Sequence, residues 1–164
     1  MGIRYITSED DLFEISNIYE KSWKYAYRDI IPQDFLDSIP AGRWADKVIA
    51  EGIYSLVLTK GSVPVGTASF CRSRWQEYSG CGEIISIYLL PEYTGKGCGG
   101  PLLRACLEEL KKLVFERILL WVLEDNHRAR RFYEKCGFTF SGDCQTEQIG
   151  GKALRELMYI YEEQ

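Results

Sequence analysis

The chain has 164 residues, 46% hydrophobic and 27% charged. That is one domain's length with enough apolar content to close a single core, which excludes disordered and fibrous classes. Its 20 Lys and Arg against 24 Asp and Glu leave a net charge of -4. A binder of the phosphate backbone normally shows a basic excess, so no nucleic-acid partner is expected.

The longest apolar runs, Ile84 to Pro91 and Ile118 to Leu123, are far shorter than the ~20 residues that span a bilayer, and no membrane partner is expected. The first ten residues turn acidic before an apolar signal region can form, which makes the cytoplasm the expected location. Cys71, Cys81, Cys98, Cys106, Cys136 and Cys144 read as free thiols, since a domain of this size without an export signal needs no disulfides. There is no Cys-x-x-Cys pair and His127 is the one histidine. No metal site is expected on that ligand inventory.

No repeat or linker divides the sequence, so residues 1–164 form one domain. Gly2 to Thr7 reads as a strand. Ser8, with Asp11 three residues on, then reads as the N-cap of a helix whose inner face carries Leu12, Ile15, Ile18, Tyr19, Trp23 and Ala26. Pro32 to Ser38 and Arg43 to Ala50 read as two short helices carrying Phe35, Leu36, Trp44, Val48 and Ile49. Tyr54 to Thr59, Val65 to Arg72 and Glu83 to Leu90 are rich in β-branched and aromatic residues and predict a three-strand meander, with Lys60-Gly61-Ser62 as its first turn. Next come a helix with Leu102, Leu103, Cys106, Leu107, Leu110 and Leu113 inward, a buried strand over Ile118 to Leu123, and a helix from Asn126 to Cys136 stopped by Gly137. Phe138 to Cys144 and Leu154 to Tyr161 close the chain as strands. The fold class is therefore mixed α/β (α+β) around one mostly antiparallel, twisted sheet of about seven strands flanked by helices.

The most informative stretch is Leu89 to Gly100, between a predicted strand and a predicted helix. Its glycines let the backbone approach a ligand, and the N–H groups opening the helix point at an anion with the helix dipole behind them. Gly95, Gly97 and Gly100 also satisfy the dinucleotide pattern G-x-G-x-x-G. The three strands before them and the sixty-odd residues after them do not make a Rossmann unit, and neither Glu116 nor Glu124 as a ribose-binding acid changes that. A Walker loop is excluded because no Gly-Lys-Ser/Thr follows the spacer.

The segment Thr94-Gly95-Lys96-Gly97-Cys98-Gly99 resembles the acetyl-CoA loop of the GNAT superfamily of N-acetyltransferases, Gln/Arg-x-x-Gly-x-Gly/Ala, except that Thr94 replaces the first residue. Downstream, Leu120 to Phe138 resembles the family's second signature: a strand, an Asn at a helix start, and a Tyr before Gly-Phe. Asn126 and Tyr133 are seven residues apart, nearly two turns, and so project from one helix face. The resemblance spans residues 83–138 and extends to the opening strand and helix, Ile3 to Tyr27. It implies that Leu89, Leu90, Thr94, Gly95, Lys96, Gly97, Cys98, Gly99, Gly100, Asn126 and Tyr133 hold acetyl-CoA, with the pyrophosphate on the glycine loop.

The same resemblance implies transfer of acetyl from acetyl-CoA to a primary amine of a small molecule or a peptide, by direct attack on the thioester. A thiol's ordinary pKa is about 8.5, so a tyrosine hydroxyl can protonate the departing thiolate, and Tyr133 is the candidate acid. Glu83 is the candidate base, in a position similar to that of the glutamate some members use through water; others use no dedicated base. A backbone N–H near Leu89 is expected to polarise the carbonyl. The basic run His127 to Arg131 reads as a solvated helix face, with a coenzyme phosphate as its other use, and Cys98 as a small filler. Trp23, Tyr25 and Tyr27 are divided between core and acceptor pocket. The acceptor is expected to be cationic, drawn by the acidic protein and by Asp29, Asp34 and Asp37; a homodimer is left open. The alternatives are a catalytically silent acyl-CoA-binding module and, further off, a nucleotide-binding domain.

Overall fold

The computed structural model describes residues 1–163. A short strand, β1 (Gly2–Tyr5), leads into α1 (Leu12–Ala26). The N-cap of α1 is Asp11, not Ser8: the Asp11 carboxylate accepts from the N–H groups of Phe13 and Glu14 at 3.0 and 3.1 Å. A carboxylate there satisfies two orphan donors and sits at the positive end of the helix dipole. α1 buries Ile15, Ile18 and Tyr19, as its spacing predicts.

Two helices shorter than predicted follow, α2 (Gln33–Asp37) and α3 (Ala45–Val48). Leu36 and Val48 are buried, whereas Ile49 is the exposed C-cap of α3. The remaining elements are β2 (Tyr54–Lys60), β3 (Val63–Arg72), β4 (Gly82–Leu89), α4 (Gly99–Lys112), β5 (Arg117–Leu123), α5 (His127–Lys135), β6 (Thr139–Ile149) and β7 (Lys152–Glu162). β6 runs five residues past its predicted end, because β7 pairs with it as far as Ile149↔Lys152. Among the described residues no helix is long and apolar enough to cross a membrane.

The seven strands form one sheet in the order β1-β2-β3-β4-β5-β7-β6. Every neighbouring pair is antiparallel except β4 and β5, which α4 joins as a parallel crossover. One face packs on α4, where Leu102, Leu103, Cys106, Leu107 and Leu110 meet Phe70, Ile84, Ile118, Leu120 and Tyr159. Burying each such leucine contributes ~1.5–3 kcal/mol. The opposite face packs on α1 through Ile15, Tyr19 and Val57, and on the α1–α2 region through Ile31, Leu36, Leu123 and Leu154.

α4 ends in a Schellman arrangement: Phe115 N–H bonds the Leu110 carbonyl at 3.2 Å and Val114 N–H bonds that of Lys111 at 2.8 Å. Val114 takes the left-handed conformation, φ +68°, that such an end requires. Leu113, placed by its spacing on the apolar face, is the C-cap and 40% exposed.

The parallel pair is short. β4 and β5 pair only at Gly82↔Ile118 and Glu83↔Leu119, although β4 continues to Leu89 and β5 to Leu123. In β4, Ser86 stands opposite Ser69 and Ile84 opposite Phe70, so Ile85 is an extra residue. Such a bulge bends its strand and steepens the twist, turning β4 away from β5 just beyond Glu83. The sheet is split from that point to its edge.

Candidate active site

A groove of about 1700 Å³ occupies the split and continues along the α1 face. Trp23 and Tyr27 from α1 and its C-cap, Ser86 to Leu89 from β4, Leu123 from β5, Tyr133 from α5 and Glu156 from β7 all line it. A second hollow of about 360 Å³ lies at the β2 edge, between Tyr5, Val48 and Tyr54, and holds none of the candidate residues.

One end of the groove is the glycine loop, where a single-turn helix, Pro91–Tyr93, precedes the glycines. Tyr93 N–H bonds the Leu90 carbonyl, Thr94 N–H bonds that of Pro91, and the Thr94 hydroxyl turns back onto the Leu90 carbonyl at 3.3 Å. Gly95 and Gly97 have φ of +74° and +79°, which non-glycine residues rarely adopt. Gly99 is glycine for a different reason, since a Cβ there would lie 3.2 Å from the Phe132 ring. From Gly95 to Gly99 the N–H groups find no partner among the described residues. No side chain caps α4, and its first turn holds no acid. The loop is thus a concave set of free donors at a helix N-terminus, a form that fits phosphate oxygens. Arg104, not singled out by the sequence, lies back over Gly100 and adds a positive charge. The Cys98 side chain turns inward and is 8% exposed.

Leu90 N–H donates to the Val65 carbonyl at 2.9 Å. By antiparallel alternation the N–H groups of Ile87 and Leu89 then face away from β3, into the split where β5 has departed. The donor expected near Leu89 is therefore directed into the groove.

Asn126 is the N-cap of α5, its Oδ1 accepting from Ala129 N–H at 3.2 Å. Tyr133 packs its ring on Phe132 and Phe138, with centroids 5.3 and 5.8 Å apart, and both it and Asn126 line the groove. Burial, with the Tyr88 phenol beside it, pushes the Tyr133 hydroxyl well above the usual range, so it stays protonated as a donor. Burial does the same to Tyr27 and Tyr88. The basic run divides: Arg130 bonds the Tyr159 hydroxyl and the Glu124 carbonyl, whereas His127, Arg128 and Arg131 line the groove.

Glu83 lies at the closed end of the split and is 1% exposed. Four donors fill its carboxylate: Arg74 Nη2 at 2.7 Å, Arg74 Nε at 3.2 Å, Arg74 backbone N–H at 3.0 Å and Trp75 Nε1 at 3.4 Å. Of the acids proposed to attract a cation, Asp29 reaches the groove but Asp34 and Asp37 do not. Asp125 lines it too, as do Glu147 and Glu156 on the β6–β7 hairpin, none of which the sequence pattern singled out as an acid. The signal was present, because Glu156 interrupts the apolar alternation Leu154, Met158, Ile160.

Residues 12–138 match a family model described as "Acetyltransferase (GNAT) family". The chain is 34% identical over 120 residues to the uncharacterized N-acetyltransferase YuaI of Bacillus subtilis, a match covering 71% of this chain and 69% of that protein. It is 31% identical over 156 residues to an uncharacterized N-acetyltransferase of Archaeoglobus fulgidus, covering 87% of this chain and 92% of that one. Among solved structures, a PaiA N-acetyltransferase from Thermoplasma acidophilum in complex with coenzyme A superposes with a TM-score of 0.77. It has 22% identity, with 99% of this chain and 100% of that one covered. The split sheet, the open glycine loop and the Asn-to-Tyr helix thus sit in a sequence that matches the family over more than half its length: the chain belongs to the GNAT family of acetyltransferases.

Proposed function

We propose that the protein transfers an acetyl group from acetyl-CoA to a primary amine that arrives as an ammonium. The observation that carries this reading is the split between β4 and β5, with free N–H donors at one end and a neutral phenol, Tyr133, along its wall. The N–H groups of Gly95 to Gly99 and the α4 dipole hold the pyrophosphate, with Lys96 and Arg104 adding charge. The unpaired edge of β4 meets the amide-bearing arm of the coenzyme, which supplies the thioester carbonyl.

Leu89 N–H polarises that carbonyl, since a donor aimed at developing negative charge stabilises the transition state most. Tyr133 gives its proton to the leaving sulfur. Glu83 holds Arg74 and Trp75 in place at the base of the groove. The aromatic side chains of Trp23 and Tyr27, with the carboxylates of Glu147 and Glu156, form the acceptor end and favour a cation.

Calorimetry with acetyl-CoA and with NAD(P), followed by thiol release on a panel of primary amines, tests the reading. Acetyl-CoA binding with amine-dependent thiol release supports it. Binding without turnover on any amine identifies a silent acyl-CoA-binding module, and NAD(P) binding without acetyl-CoA binding identifies a nucleotide-binding domain.

A further inference from the structure

On the α1 side of β7 the residues Leu154, Glu156, Met158 and Ile160 alternate, and three of the four are apolar. Glu156 stands where the strand period calls for a hydrophobic residue, directly opposite Leu123 of β5, in the groove wall. Gln145 Nε2 on β6 donates to its Oε2 at 2.8 Å. The Glu147 carboxyl lies in hydrogen-bonding reach of it as well, and among the described residues the Glu156 carboxylate has no ion-pair partner. Glu83 is in the opposite condition, ion-paired to Arg74 at 2.7 Å. A proton acceptor must not be held by a cation, and Glu156, beside a second carboxylate in the groove wall, meets that need.

The groups that face Glu156 are few. β6 presents Glu147 beside Gln145, and the Tyr27 phenol at the end of α1 lies near both carboxylates and near Tyr133. β5 presents Leu123 and Trp121, which do not titrate. The guanidiniums of Arg28 and Arg128 are taken up over the Tyr25 ring, 4.6 and 5.8 Å from its centroid. Burial, and then Glu147, raise the Glu156 carboxyl to about 7, the range in which a general base works best near neutral pH.

We propose that Glu156 is the general base of the transfer, taking the ammonium proton of the acceptor into the carboxylate pair it forms with Glu147, which also draws the cation in. This rests on the acetyl-transfer reading. Glu156 accepts one proton and the acceptor becomes a neutral amine. As the C–N bond forms and the C–S bond breaks, Tyr133 protonates the sulfur and recovers a proton from the nitrogen. The products are the N-acetyl amine and the free thiol, and the proton on Glu156 passes to solvent.

The test is the pH profile of kcat/KM with one primary amine for the parent, Glu156→Gln and Glu147→Gln, together with carbon-13 NMR titration of the Glu156 carboxyl in the parent. The expected parent profile rises through an inflection near pH 7, below the amine's own ionisation. Glu156→Gln loses that inflection and about 10²- to 10⁴-fold of rate at neutral pH while keeping acetyl-CoA affinity. Glu147→Gln moves the inflection to lower pH, which a purely structural role for Glu156 does not predict. A Glu156→Gln variant with full rate and an intact inflection overturns the inference. If that variant does not fold, a parent carboxyl that titrates near 4, or a Glu147→Gln profile that does not move, overturns it instead. A parent that binds acetyl-CoA and acetylates amines with no inflection near 7 overturns the inference alone. A parent that binds no acetyl-CoA and acetylates nothing overturns the acetyl-transfer reading with it.

Discussion

Trp23 Nε1 donates to the Tyr88 hydroxyl at 3.0 Å, joining the last turn of α1 to the end of β4 although 65 residues separate them. Because that bond occupies a lone pair of the oxygen, the Tyr88 proton points elsewhere, within a cluster that includes Tyr27 and Tyr133. Burial keeps these phenols neutral at any working pH. Tyr133→Phe therefore removes a proton donor and little else, since the ring contacts with Phe132 and Phe138 survive. Turnover should fall roughly 10- to 10⁴-fold with coenzyme affinity within a few-fold. Calorimetry and initial rates check this, and full activity from pH 6 to about 9 would remove Tyr133 from the chemistry.

Gly97 has φ +79° and open space where a Cβ would go. Gly97→Val is thus resisted by the backbone alone, and strain of ~1–3 kcal/mol or a reshaped loop follows. Acetyl-CoA affinity should drop roughly tenfold or more while circular dichroism stays native. Unchanged affinity would argue against a phosphate cradle at this loop.

Glu83→Gln should act on stability first. The amide keeps the shape but gives up the charge that pairs with Arg74, which costs ~1–3 kcal/mol for a hydrogen bond to a charged group. A lower melting temperature with an unchanged pH profile is the expected result. An unchanged melting temperature with a lost inflection near pH 7 would return the base role to Glu83.

The apolar periods and the punctuating glycines made much of this legible from sequence. Ile15, Ile18 and Tyr19 on α1, and Leu102 to Leu110 on α4, recur at helical steps and pack as those steps require. The glycine loop was legible because Gly95 and Gly97 are needed for local backbone geometry. Long-range relations were not. Nothing local to Ile85 announces that β4 bulges there, since the bulge exists only relative to β3. Arg74 and Glu83 are nine residues apart on separate segments, so their pairing is invisible to a strand pattern. Glu156 was legible in principle as the odd residue of an apolar alternation, but its partners Gln145 and Glu147 reach it only through the register of the β6–β7 hairpin.

Val114 is a β-branched residue at φ +68° and is 85% exposed. Its left-handed conformation costs ~1–2 kcal/mol relative to glycine, offset in part by the greater freedom glycine has when unfolded. Val114→Gly should stabilise the fold by about 1 kcal/mol and raise the melting temperature by ~2–4 °C. Thermal denaturation checks this, and a lower melting temperature would mean that the valine side chain makes contacts worth more than the strain.

Asp10 accepts from the two terminal guanidinium nitrogens of Arg4, Nη2 at 2.6 Å and Nη1 at 2.9 Å, and from Thr7 N–H at 2.8 Å. Chiefly through Arg4, its carboxyl is held down to about 2. A depressed carboxyl contributes stability in full above its unfolded value, about 4, and loses it as pH falls toward 2. Asp10→Asn should flatten the acid limb of the stability curve between those values and leave the neutral limb with a constant offset. Parallel acid limbs in denaturant titrations from pH 2 to 5 would show that the pair adds nothing.

Among the described residues, strand pairing joins β4 to β5 at two positions. The sheet is in effect two plates, β1-β2-β3-β4 and β5-β7-β6, bolted at one corner and tied by α4. Amide hydrogens at Ile87 and Leu89, facing an open seam, should exchange with solvent quickly in the free protein, and the two plates should register as separate units of protection. A ligand lying in the seam supplies the missing rungs. It should slow exchange on both sides at once and fuse the two units into a single cooperative transition, so that the protein gains rigidity as well as a reactive group on binding its cosubstrate.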